Sequence, residues 1–84
     1  MKAIMTVYRG PTASGRGSRI VAYDNDGNRV SVTYPSEKRM GEEAHFEGAR
    51  ALCSKMNWKG TLHAGSIGSD CYVFVWSDGE GRKV

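Results

Sequence analysis

The sequence predicts an α+β fold: a five-stranded, largely antiparallel sheet with one helix on one face, in the order β-β-β-α-β-β. Three observations lead there. The β-rich runs Arg19–Tyr23 and Arg29–Tyr34 flank Asp24-Asn25-Asp26-Gly27-Asn28, residue types that tolerate the left-handed conformations a hairpin reversal demands. From Glu42 to Asn57, Phe46, Ala49, Leu52, Cys53 and Met56 recur at spacings of three and four, as in an amphipathic helix. Cys71 to Trp76 is a strongly β-prone run behind a Gly/Ser-rich loop.

In chain order, Lys2–Arg9 reads as the first strand, with Ala3, Met5 and Val7 alternating against Ile4, Thr6 and Tyr8. Both sets are fairly apolar, which suits a central position. Gly10 to Gly17 holds three glycines and a proline and reads as an open loop. The hairpin follows, and Pro35 ends its second arm. The helix opens with acids and has Lys55 and Lys59 at its end, placements that suit its dipole, with Gly60 positioned to terminate the turn. Thr61–Ala64 reads as a short strand, Gly65–Asp70 as a loop and Cys71–Trp76 as the last strand. Residues 1–76 thus form one domain, and Ser77–Val84, with Gly79, Gly81 and mixed charges, read as a frayed, flexible tail.

Eighty-four residues suffice for one domain and leave no room for a two-domain enzyme. An apolar share of 39% is too high for a disordered chain, and no run is long enough to span a membrane. The N-terminal apolar run is too short for a signal-peptide core, and two cysteines without CxxC spacing do not form a disulfide scaffold, so a cytoplasmic location is expected. The net charge of +3 is mild but unevenly spread. Met1–Arg39 carries seven bases and three acids, whereas the helix opens on Glu42, Glu43 and Glu47.

Most chemistries fail on spacing. His45, Cys53, His63 and Cys71 are suitable zinc ligands with no short paired spacing, so no metal or other cofactor is expected. Asp24–Asn28 begins like a calcium loop, but its glycine falls at the fourth position and Pro35 stands where the bidentate Glu belongs. Gly10 and Gly15 are spaced as in a phosphate loop, yet Arg16 and Gly17 occupy the Lys and Ser/Thr positions. Glu42 and Glu43 are adjacent and point to different sides of a helix, and no GxSxG is present, so an enzyme is not expected.

Binding residues are the better candidates. The glycine loop and its flanks carry Arg9, Arg16 and Arg19, which would grip a phosphate backbone or an acidic patch, or else decorate a solvated connection. In the last strand Cys71, Val73 and Val75 point one way and Tyr72, Phe74 and Trp76 the other. The smaller set suits close helix packing, which would leave the rings on an open face with Phe74 and Trp76 as interface anchors. The alternative turns the rings to the helix and the valines to a second layer or a dimer seam. On the helix, Glu43 and Glu47 form an acidic face able to meet a basic channel.

Tyr8-Arg9-Gly10-Pro11-Thr12, Arg16-Gly17-Ser18-Arg19-Ile20, Asp24 through Asn28, Ala51-Leu52, Met56-Asn57-Trp58, Gly60 and Tyr72-Val73-Phe74-Val75 together resemble a family of small uncharacterised phage and prophage proteins. The likeness spans most of the chain and implies no activity. In size, in its strands around one Ala-rich helix ending in Met-x-Trp, and in its closing hairpin, the chain is also similar to some anti-CRISPR proteins. That second resemblance implies a non-enzymatic inhibitor that docks on a host CRISPR effector subunit and blocks its nucleic-acid handling. The other expectation is a small nucleic-acid-binding module, its arginines on phosphates and its rings on bases. A homodimer burying its ring face is compatible with either.

Overall fold

The computed structural model describes residues 3–10, 17–33, 41–68 and 70–84. Its elements are β1 (Ile4–Arg9), β2 (Arg19–Tyr23), β3 (Arg29–Thr33), α1 (Gly41–Met56), β4 (Thr61–Ile67), β5 (Cys71–Ser77) and β6 (Arg82–Lys83). The expected α+β architecture is present, with six strands rather than five. They form one sheet in the order β3-β2-β1-β5-β4-β6, and each pairing is antiparallel. The expected β1 and β3 each reach one residue or more beyond these bounds, and Lys2 and Tyr34 lie outside the described residues. No described helix is long and apolar enough to cross a membrane.

The β2–β3 hairpin closes as its composition dictates. Asp24 Oδ1 accepts hydrogen bonds from the backbone N–H groups of Asp26 and Asn28 at 2.9 and 3.1 Å, and Gly27 supplies the positive φ of 92°. The Asp24 carboxylate therefore organises its own turn.

Helix α1 lies on one face of the sheet, chiefly over β2 and β3. Of the five expected positions Phe46, Ala49, Leu52 and Cys53 are buried and Met56 is partly buried, and the stripe widens to take in Ala44, His45 and Gly48. Gly48 allows the approach: a Cβ there would sit 2.7 Å from Ile20 Cγ2. Asn57, not Gly60, ends the helix. It takes a left-handed φ of 60°, with Trp58 N–H donating to the Cys53 carbonyl at 2.8 Å and Asn57 N–H to Ser54 at 3.3 Å, the paired bonds of a Schellman cap.

Register decides which side chains meet the helix. Ile4 opposes Phe74 and Thr6 opposes Tyr72, so β5 turns Tyr72, Phe74 and Trp76 to α1 and Cys71, Val73 and Val75 away. This corrects the expectation of rings on an open face. Close helix packing is supplied by Ala22 under Gly48, not by the β5 valines. The helix barely reaches β5, and the rings fill the space beyond its flank, with Phe46 and Phe74 centroids 6.1 Å apart and Trp58 edge-on to Trp76 at 6.4 Å.

The C-terminal segment is a second correction. Gly65–Ile67, expected in a loop, continue β4, and the expected frayed tail returns to the sheet instead. Residues Arg82 and Lys83 pair with Leu62 and Thr61, and Val84 N–H donates to the Gly60 carbonyl at 2.9 Å. Arg82 lies over the Phe46 ring and 3.6 Å from Glu42, so the segment closes one side of the core.

Candidate functional site

The side of the sheet away from α1 has no described helix or strand on it. Strand alternation assigns to it Met5, Val7 and Arg9 of β1, Arg19, Val21 and Tyr23 of β2, and Arg29, Ser31 and Thr33 of β3. Cys71, Val73 and Val75 of β5 and Thr61, His63, Gly65 and Ile67 of β4 continue it. Lys83 completes it at the β6 edge. None of these positions is acidic. Ile67 and Val75, 54% and 43% exposed, are the exposed large apolar residues among those described, and both lie here.

The basic end is built by three arginines. Arg9 and Arg19 are directly opposed across β1 and β2, and Arg29 opposes Tyr23 at the other end of β2. Although they start from opposite strand ends, Arg9 and Arg29 line one depression of about 420 Å³, with Val7, Val21, Tyr23, Asp24 and Gly27. Arg19 lines a neighbouring depression of about 290 Å³ beside Ser31 and Thr33. Its Nη1 is buried and has no hydrogen-bond partner among the described residues. A guanidinium nitrogen removed from water without an acceptor is unfavourable, and an oxyanion is the acceptor its geometry fits.

The sequence-predicted residues therefore divide. Arg9 and Arg19 come together on the open face, and Arg16 lies outside the described residues. Phe74 is 0% exposed, which corrects its expected place as a surface anchor; the cause is the register that turns it toward Phe46. Trp76 is half-buried on the helix side, packed against the core beside Trp58, and is not an open-face anchor either. Glu43 and Glu47 lie on α1, on the far side of the sheet from the arginines, and Glu47 sits 3.6 Å from Arg50. Arg29 and Tyr23 join Arg9 and Arg19 without having been among the expected binding residues. The signal that finds them is the hairpin register: a turn over 24–28 opposes Tyr23 to Arg29 and puts both on the face of Arg19.

Other reactive groups face the interior. Thr6 Oγ1 and His45 Nδ1 share a hydrogen bond of 2.6 Å, a hydroxyl and imidazole at the separation of a nucleophile and its base. They are 1% and 3% exposed, so the pair braces β1 against α1 where no substrate reaches it. Burial pushes the Cys53 thiol up to about 11, the behaviour of a packing group and not of a nucleophile. His45 and Cys53 lie under the helix while His63 and Cys71 lie on the opposite side of the sheet. Among the described residues no three His, Cys, Asp or Glu side chains gather. No protein-family model matches the chain, and no curated protein or solved structure is significantly similar to it.

Proposed function

We propose that this protein acts by binding and not by catalysis, docking the open face of its sheet on a protein partner. The observation that carries the reading is the make-up of that face: described strand positions without an acid, a basic end and an exposed aliphatic end. Interfaces join an apolar centre to a polar margin in this way. A subunit of a host CRISPR effector, the partner implied by the chain's resemblance to small phage inhibitors, is the first to assay. Tagged protein is expected to capture an effector subunit from host lysate and to lower interference in a plaque assay. Val75→Lys with Ile67→Lys is expected to abolish both effects, whereas Glu43→Gln on the helix side leaves them intact. Undiminished interference together with no captured subunit removes the effector reading.

Direct nucleic-acid binding is the second reading, and the three arginines favour it. The rings do not. Phe74 and Trp76 face α1, which leaves Tyr23 as the Tyr, Phe or Trp ring on the open face among the described residues. A gel shift at low ionic strength with naked DNA and RNA decides it, since arginine–phosphate contacts are strongest there.

A further inference from the structure

We infer that Arg9, Arg19 and Arg29 form a carboxylate-binding end of the open face, which takes an extended acidic segment of the partner protein while that segment's apolar side chains lie along Val73, Val75 and Ile67. The inference deepens the docking reading and rests on it.

Three observations carry the carboxylate. Arg9 and Arg19 are like charges directly opposed on one face, an arrangement unfavourable by itself and relieved by an anion between them. Arg19 Nη1 is out of water with no acceptor among the described residues. The side chains of Arg9 and Arg29 converge on one depression from opposite strand ends, over a floor of Val7 and buried Val21. Asp24 also lines that depression, but its carboxylate accepts hydrogen bonds from Asp26 and Asn28 of its own turn.

The rest of the face selects a protein over a nucleic acid. Crossing from β2 through β1 and β5 to β4 is about 14 Å at the usual strand spacing. A nucleic-acid strand on that path leaves the arginines for Val73, Val75 and Ile67, where the described strand positions offer His63 as their one ring and no Arg or Lys before Lys83 at the β6 edge. A peptide with acidic residues toward one end and apolar residues toward the other matches both. Guanidinium forks hold carboxylates bidentately, and an extended chain presents alternate side chains to the surface.

The probe is a labelled peptide about eight residues long, Glu through its first half and Val through its second, roughly 26 Å when extended. Its controls are the Gln/Val peptide and an oligothymidylate of the same length. Fluorescence anisotropy is expected to show binding of the Glu/Val peptide alone. Arg9→Gln and Arg29→Gln are expected to weaken it about threefold each, and Arg19→Gln about tenfold because its nitrogen is already desolvated. Arg19→Lys should recover only part of the loss, since the fork is missing. Equal binding of the Gln/Val peptide, tighter binding of the oligothymidylate, or binding of no probe overturns the inference. The docking reading fails separately. Partner capture that survives the triple arginine variant but not Val75→Lys overturns the carboxylate end alone, while capture that survives both overturns the docking face itself. Thermal melts confirm that each variant is folded.

Discussion

His45 is held in the interior beside Thr6 and Tyr72, its ring centroid 4.7 Å from that of Tyr72. Desolvation lowers its pKa below the ordinary 6.5, outweighing the attraction of Asp70 and the hydrogen bonding at Thr6, both of which raise it. The unfolded chain therefore takes up a proton at pH values where the native ring does not. Stability is complete above about pH 6.5 and declines as the pH falls below it, levelling once the native ring is protonated as well. Urea midpoints measured between pH 7.5 and 5 are expected to fall in the parent protein and to fall less in His45→Gln; identical slopes would mean that His45 is not the group responsible. Thr6→Val, close in shape, leaves a buried imidazole nitrogen without its partner and should destabilise by about 1–3 kcal/mol.

At the level of elements, α1 and its C-terminal cap hold two glycine-related positions with opposite expectations. Alanine outranks glycine in a helix interior by about 1 kcal/mol. At Gly48, however, the added methyl meets Ile20 Cγ2 at 2.7 Å, a fully buried branched carbon with nowhere to go, and overpacking of that kind costs about 1–3 kcal/mol. Gly48→Ala is thus expected to destabilise on balance, and Ile20→Leu, which removes the β-methyl, to recover part of the loss in the double variant. Denaturant titration reads both. Asn57 is the reverse case: it bears a Cβ at φ 60°, and Asn57→Gly relieves that conformation while keeping the Schellman bonds. A gain of about 0.5–1 kcal/mol, or roughly 4 °C in Tm, is expected.

At the scale of the whole molecule, among the described residues, Glu42, Glu43 and Glu47 lie on the helix, where Arg50 and Arg82 stand beside them, and Arg9, Arg19 and Arg29 lie across the sheet with no acid at the described strand positions of that face. The molecule's other global feature is closure by the C-terminal segment, in which Val84 packs against the core and Arg82 covers Phe46. Gly81 permits the return, since a Cβ at its φ of 134° would run into the Leu62 carbonyl. Deleting residues 81–84 is expected to lower stability by about 2 kcal/mol, from lost apolar burial and the β4–β6 bonds. A calorimetric Tm unchanged by the deletion would show that the segment contributes nothing to the core.

The hairpin at 24–28, the helix and the strand after residue 70 were legible in the sequence because each depends on local chemistry: an Asp that caps its own turn, a 3.6-residue apolar period, a run of β-branched and aromatic residues. Arg9 and Arg19 were legible as binding candidates for a similar reason, since charge is visible residue by residue. The orientation of β5 was not. Its two faces are both apolar, so alternation alone leaves the choice open, and the shape of the neighbours decides it: Gly48 on Ala22 brings α1 close over β2, and only rings are long enough to fill the space beside it. The convergence of Arg29 on Arg9, the length of β4 and the return of Arg82–Val84 likewise depend on partners far away in sequence, which only the tertiary structure brings together.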